Sequence, residues 1–230
     1  MAVATADIVQ TPSPNFGPRR HGLPPDMVVL HYTAMQTADA ACARLCDEKA
    51  EVSAHYLISE QGVIFQLVDE NMRAWHAGAG AWGNVADVNS HSIGIELANT
   101  GDVPFPAAQM DALEKLLTGI KSRWAIPAAR IIAHSDMAPE RKFDPGSKFD
   151  WQRLALGGLS VWPKGTKDVL GSWDDFEAYA ARFGYHGAGQ SLLSAFRLRF
   201  LPHKAGELDA QDIGMIKRLA DEWPCSITAV

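Results

Sequence analysis

The chain has 230 residues, enough for one domain or one domain with a small appendage, and enough to bury a core without disulfide or metal staples. Hydrophobic residues make up 47% and charged residues 21%, which excludes disordered and fibrous classes. With 21 Lys+Arg against 27 Asp+Glu the net charge is −6, which argues against a nucleic-acid partner, and no apolar run approaches the roughly 20 residues that cross a bilayer, which argues against a membrane one.

Residues 1–26 are rich in Pro and Gly without a period and read as an extended arm. Asp7, Gln10, Pro12 and Pro14 interrupt any leader-like apolar stretch, so the expected location is cytoplasmic, or periplasmic or envelope-bound if a leader has been removed. Met27 to Tyr32 is a short apolar run expected to form a buried strand. Thr37 to Lys49 has helical spacing with Thr37 as N-cap. Cys42 and Cys46 share one face of that helix, and with Cys225 they make an odd set of three, which favours reduced, packed thiols over a disulfide framework.

Ser53 to Ile58 and Val63 to Val68, joined by a Gly-containing turn, predict a hairpin. Ala77 to Asn89 is a loop, and Ser92 to Leu97 a further strand. Pro106 to Trp124 carries Met110, Leu113, Leu116, Leu117 and Ile120 on one helical stripe. Ile131 to Ala133 is a fifth strand. The alternation predicts an α/β fold with a mixed central β-sheet flanked by helices. Pro163 to Lys167 reads as a linker, followed by helices over 173–183, 191–200 and 209–223. The expected division is an α/β domain at 1–162 and a small three-helix unit at 168–230, in a chain expected to be a monomer.

His31 and His134 each stand at a strand end, where ligands collect in open α/β sheets, and Asp144 follows ten residues after His134. Two imidazoles and a carboxylate suit Zn²⁺ with a fourth position left for water. Spacing alone leaves a second reading open, in which each histidine is a hydrogen-bonded strand-end residue. In Ser92 to Leu97 alternation places Ser92, Gly94 and Glu96 on one face, so Glu96 is either a satisfied structural carboxylate or a general base with a raised pKa. Lys142, two residues before Asp144 in the chain, points the same way in an extended loop and suits an oxyanion, unless it is an ordinary surface charge. Gly78 to Gly83 matches G-x-G-x-x-G, but no strand precedes it and no helix follows, so it reads as a loop bordering a cleft and not as a nucleotide site.

Six ordered motifs carry a resemblance: Val28 to Thr33, Val52 to Ile58, Arg73 to Gly78 (Arg-Ala-Trp-His-Ala-Gly), Asn89 to Leu97, Ala133-His-Ser-Asp136, and Ala138 to Gly146 (Ala-Pro-Glu-Arg-Lys-Phe-Asp-Pro-Gly). Together they closely resemble the zinc-dependent N-acetylmuramoyl-L-alanine amidases, whose fold peptidoglycan recognition proteins share. The resemblance spans roughly residues 12–157. It implies His31, His134 and Asp144 as zinc ligands, Glu96 and Lys142 as catalytic residues, and Trp75, His76 and Arg141 beside the substrate. It puts Phe143 where the family usually has Thr. It also implies cleavage of the amide between N-acetylmuramic acid, in its ordinary or its 1,6-anhydro form, and the L-alanine of the stem peptide, in muropeptides or peptidoglycan.

The C-terminal unit is more loosely similar to three-helix peptidoglycan-binding modules, through Phe183-Gly-Tyr185 and Ala195 to Phe200. It could equally be a stabilising cap, with Arg197 and Arg199 as solvated charges. Two competing functions remain: a recognition protein that binds wall fragments without cutting them, and a glycosidase with Glu96 and Asp136 as paired carboxylates.

Overall fold

The computed structural model describes residues 8–225. In chain order it contains β1 (Val9–Gln10), β2 (Phe16–Pro18), β3 (Met27–Tyr32), α1 (Ala38–Leu45), β4 (Tyr56–Ile58), β5 (Ile64–Gln66), β6 (Met72–Ala74), α2 (Val88–His91) and β7 (Ser92–Leu97). Then follow α3 (Ala107–Trp124), β8 (Ile131–Ala133), α4 (His134–Met137), α5 (Trp151–Leu156), α6 (Trp173–Phe183), α7 (Gly189–Phe200) and α8 (Ala210–Glu222). Six strands form one mixed sheet in the order β1-β5-β4-β7-β3-β8, with β4 and β5 antiparallel and the other pairs parallel. The mixed α/β class expected from the alternation of elements is the observed one.

Side chains of a strand alternate between its two faces, and here that alternation separates two chemistries. Val28 and Leu30 of β3, Ile93, Ile95 and Leu97 of β7, and Ile131 and Ala133 of β8 pack with Met110, Leu113, Leu117 and Ile120 of α3. Met27 and Val29 of β3 and Ile132 of β8 face the other way, into a second cluster with Phe176, Phe183, Phe196, Phe200, Ile213 and Ile216. Residues 163–167 hold no helix or strand, and the three C-terminal helices share this core with the sheet. Ser172 and Asp209 start α6 and α8 with capping boxes. Gly184, at φ 136°, ends α6 where a Cβ would meet the Trp82 ring at 2.6 Å.

Residues 8–26, the described part of the amino-terminal arm, are more ordered than their composition suggests. β1 extends the sheet beside β5, β2 pairs with β6, and the buried guanidinium of Arg19 donates to the carbonyls of Glu70, Ser90 and Ser92. These strands have two or three residues and take their conformation from partners distant in the chain. The first helix ends at Leu45, earlier than its spacing predicts; Asp47 then caps a short 3-10 turn at Glu48–Ala50. Arg197 and Arg199 are not solvated: Arg197 pairs with Asp212 and Arg199 with Asp136, all four buried.

Candidate metal centre and cleft

Register brings the chemistry together. β3 and β7 pair in parallel with His31 opposite Glu96, and β3 and β8 pair with Leu30 opposite Ala133, so the residue that follows β8, His134, emerges beside His31. All three lie on the face opposite α3, at the carboxyl ends of parallel strands. The loop after α4 returns Asp144 to the same place, where Ser135 N–H donates to the Asp144 carbonyl at 3.0 Å. His31 Nδ1 and His134 Nδ1 are 2.9 Å apart, and each is 3.0 Å from Asp144 Oδ2. Among the described residues this is the group that could hold a metal ion.

Which nitrogens carry protons follows from the outer partners. Ser92 Oγ donates to the Val88 carbonyl at 2.6 Å, so it accepts from His76 Nε2 at 3.1 Å. That leaves His76 Nδ1 as an acceptor for His31 Nε2–H at 3.0 Å. His134 Nε2–H donates to the Ala77 carbonyl at 2.9 Å. Both inner Nδ1 atoms therefore present lone pairs, to each other and to a carboxylate oxygen. Three acceptors pointed at one place repel unless a cation lies among them, so the donor set fits a divalent metal with imidazole and carboxylate ligands.

The electrostatics agree. Burial, reinforced by the adjacent His134 ring, pushes His31 down to about 4, which keeps the imidazole neutral and able to ligate. Burial alone would raise Asp144, but the His134 and His31 imidazoles packed against it hold its carboxyl well below the usual range. Glu96 behaves oppositely: burial, then the Asp144 charge, raise it to about 8 against the opposing Lys142 charge. Its Oε2 is buried without a hydrogen-bond partner. A carboxylate with an idle oxygen and a high pKa beside a metal site suits a proton carrier.

These groups line a cleft of about 350 Å³ that also includes Trp75, His76, Arg141, Lys142 and Phe143. A larger groove of about 810 Å³ runs between α5 and the end of α7, but it gathers no such donor set. His76 borders the cleft, and its ring is bonded behind His31. The Arg141 guanidinium is engaged by the Ala77 and Ala79 carbonyls, so it braces the Gly78–Gly83 loop. That loop is not among the residues lining the cleft, contrary to the expectation from its sequence; it buries Trp82 against Phe183 and Tyr185. Phe143 is 62% exposed at the rim. Asp136 is fully buried and paired with Arg199, which removes it as the second carboxylate of a glycosidase.

Ser92, Gly94 and Asn89 were not singled out as functional residues in the sequence. Asn89 Oδ1 accepts from His76 N–H and Ala77 N–H at 3.0 and 2.9 Å. Gly94 has no side chain where the His76 ring lies, and a Cβ there would run into the imidazole. The available signal for Ser92 and Gly94 was the alternation that singled out Glu96, since all three share one face of β7.

Residues 21–147, more than half of the chain, match the N-acetylmuramoyl-L-alanine amidase family. The chain belongs to this family. It is 41% identical over 153 residues to the N-acetylmuramoyl-L-alanine amidase AmiD of Escherichia coli, covering 60% of this chain and 54% of AmiD. The present amidase-family chain thus spans about half the length of that relative. It is 34% identical over 165 residues to the 1,6-anhydro-N-acetylmuramyl-L-alanine amidase AmpD of Haemophilus influenzae, 64% of this chain and 90% of AmpD. Among solved structures, AmiD in complex with anhydro-N-acetylmuramic acid-L-Ala-D-gamma-Glu-L-Lys superposes with TM-score 0.79 and 33% identity, covering 88% of this chain and 92% of that one. AmpDh3 of Pseudomonas aeruginosa, in complex with an anhydromuramic pentapeptide, gives TM-score 0.79 at 29% identity, covering 97% and 100%.

Proposed function

We propose that this chain is a zinc-dependent amidase that hydrolyses the bond between N-acetylmuramic acid, in its 1,6-anhydro form among others, and the L-alanine of the stem peptide. The observation that carries the reading is the convergence of two imidazole lone pairs and a carboxylate beside Glu96, whose Oε2 is unpartnered. The relatives' names and bound muropeptides point to the same substrate class. His31, His134 and Asp144 would hold the ion, which when bound supplies Lewis acidity toward the amide carbonyl and acidifies water.

Glu96 accepts a proton from the attacking water and delivers it to the alanine nitrogen. The C–N bond breaks, leaving a lactyl carboxylic acid and a free amine. Lys142, on the cleft wall, steadies negative charge as the carbonyl carbon becomes tetrahedral. Trp75 and the exposed ring of Phe143 offer apolar surface to the substrate at the rim.

Mass spectrometry of purified anhydro-muropeptide and of sacculi, each digested by the zinc-loaded and by the chelator-stripped chain, tests this reading. The expected products are stem peptides beginning at L-alanine, formed only with metal. Saturable binding without product would support a recognition protein instead, and full activity after zinc removal would refute the metal assignment.

The outer partners of the ligands make a separate prediction. A Gly94→Ala chain places a methyl group in the space of the His76 ring and should release His31 from its bond to His76. Loss of an outer-shell partner typically weakens metal binding about 10–100-fold. Competition with a chromophoric chelator should show that loss while circular dichroism stays unchanged; a wild-type zinc Kd would mean His76 does not orient His31.

A further inference from the structure

We propose that Arg199, on the C-terminal helix α7, is a positioning residue for the metal centre, acting through Asp136 on the turn that presents His134. The inference rests on the zinc reading above and goes beyond it, because it makes the C-terminal helices part of the metal site's support.

His134 stands where β8 ends and the four-residue helix α4 begins. The Asp136 carboxylate closes that turn. Its Oδ2 accepts from Ala133 N–H, the residue just before the ligand, at 2.8 Å and is ion-paired with Arg199 Nη1. Its Oδ1 accepts from the Tyr185 hydroxyl at 2.6 Å. Arg199 reaches the other side of the ligand as well, with Nη2 donating at 3.2 Å to both the Ile131 carbonyl of β8 and Ser160 Oγ. Its guanidinium carbon lies 4.3 Å from the centroid of the Trp151 ring, which fixes the plane of the fork. One guanidinium thus ties the strand before His134 to the turn after it. Arg199 and Tyr185 both come from the C-terminal unit, outside residues 21–147 that match the family.

Stability alone is a poor account of this arrangement. Both side chains of the Arg199–Asp136 pair are fully buried, and desolvation of such a pair often cancels its Coulomb attraction. What the pair does supply is directional geometry. The same helix carries a built-in control. Arg197, also buried, pairs with Asp212 at 2.6 Å and donates to the Gly206 and Glu207 carbonyls, all within the C-terminal unit. Arg197 therefore secures α7 against α8 without touching the sheet.

The full chain carrying Arg199→Met is to be compared with the one carrying Arg197→Met. The zinc Kd is measured by chelator competition, the ligand-field spectrum with Co²⁺ in place of zinc, and stability by urea denaturation. Both variants should unfold at lower urea. Only Arg199→Met should also weaken zinc, by about 10-fold or more, and shift the Co²⁺ spectrum. Tyr185→Phe, which removes a single hydroxyl from Asp136, should weaken zinc in the same direction and serves as the readout if Arg199→Met does not fold. Wild-type zinc affinity and spectrum in Arg199→Met, or in Tyr185→Phe where that variant is the readout, would overturn the inference. So would equal losses in the two arginine variants. If the unsubstituted chain fails to bind zinc, the functional reading falls and takes this inference with it; if it binds and Arg199→Met binds equally well, only the inference falls.

Discussion

A His134→Ala chain is expected to purify without stoichiometric zinc and without turnover, with its fold intact. His134 Nδ1 is one of three donors at the centre, and Ala77 engages only its outer nitrogen. Truncation leaves one imidazole and one carboxylate, too few for a structural grip on a divalent ion. The loss should exceed the roughly 100-fold upper range seen for outer-shell partners. The fold should survive because β8 is held by its pairing with β3 and by Ile131 and Ile132 in the two cores. Metal analysis after dialysis, alongside circular dichroism, checks both halves; a fully metallated and active His134→Ala chain would remove the residue from the ligand set.

Glu96→Gln should separate chemistry from metal binding. General acid–base groups typically contribute about 10²–10⁴-fold to rate, so turnover should fall by that order while zinc stays bound. The same substitution has a pH signature in the metal-free protein. Burial and the Asp144 charge raise the folded pKa of Glu96 to about 8 from an ordinary 4.5, so the folded state holds a proton that the unfolded chain releases. The stability contributed by this group is complete below the unfolded value and is lost as pH climbs toward the folded one. Gln stays neutral throughout. The chelator-stripped variant should therefore be more stable than its parent at pH 8, and the difference should shrink as pH falls and vanish below the unfolded value of 4.5, as read by urea denaturation. No difference at pH 8 would mean that Glu96 is not buried against its charge.

The fold was legible where long-range order follows local pattern. Met27–Tyr32 and Ser92–Leu97 are apolar runs with period-two side chains, and they form strands with those bounds. The stripe of Met110, Leu113, Leu117 and Ile120 forms the helix Ala107–Trp124 that covers one face of the sheet. β1, β2 and β6 were not legible, because two or three residues carry no period and owe their extension to partners elsewhere in the chain. In the site, residue types and order drew attention to His31, His134, Asp144 and Glu96. Nothing in the sequence says which imidazole nitrogen faces inward; that depends on Ser92, His76 and the Ala77 carbonyl, whose positions follow from strand register. Arg197 and Arg199 can be read in the sequence as surface charges because their acidic partners stand 15 and 63 residues away. Burial of a charge is legible only with its counter-charge in view.

Anomalous diffraction at the zinc absorption edge, from crystals of the zinc-loaded chain, tests the central claim most directly. One strong peak is expected between His31 Nδ1, His134 Nδ1 and an Asp144 oxygen, at the roughly 2.0–2.2 Å typical of zinc with these donors. A peak reached through Nε2 of either histidine, a peak elsewhere in the molecule, or none in a protein that still hydrolyses muropeptide would contradict it.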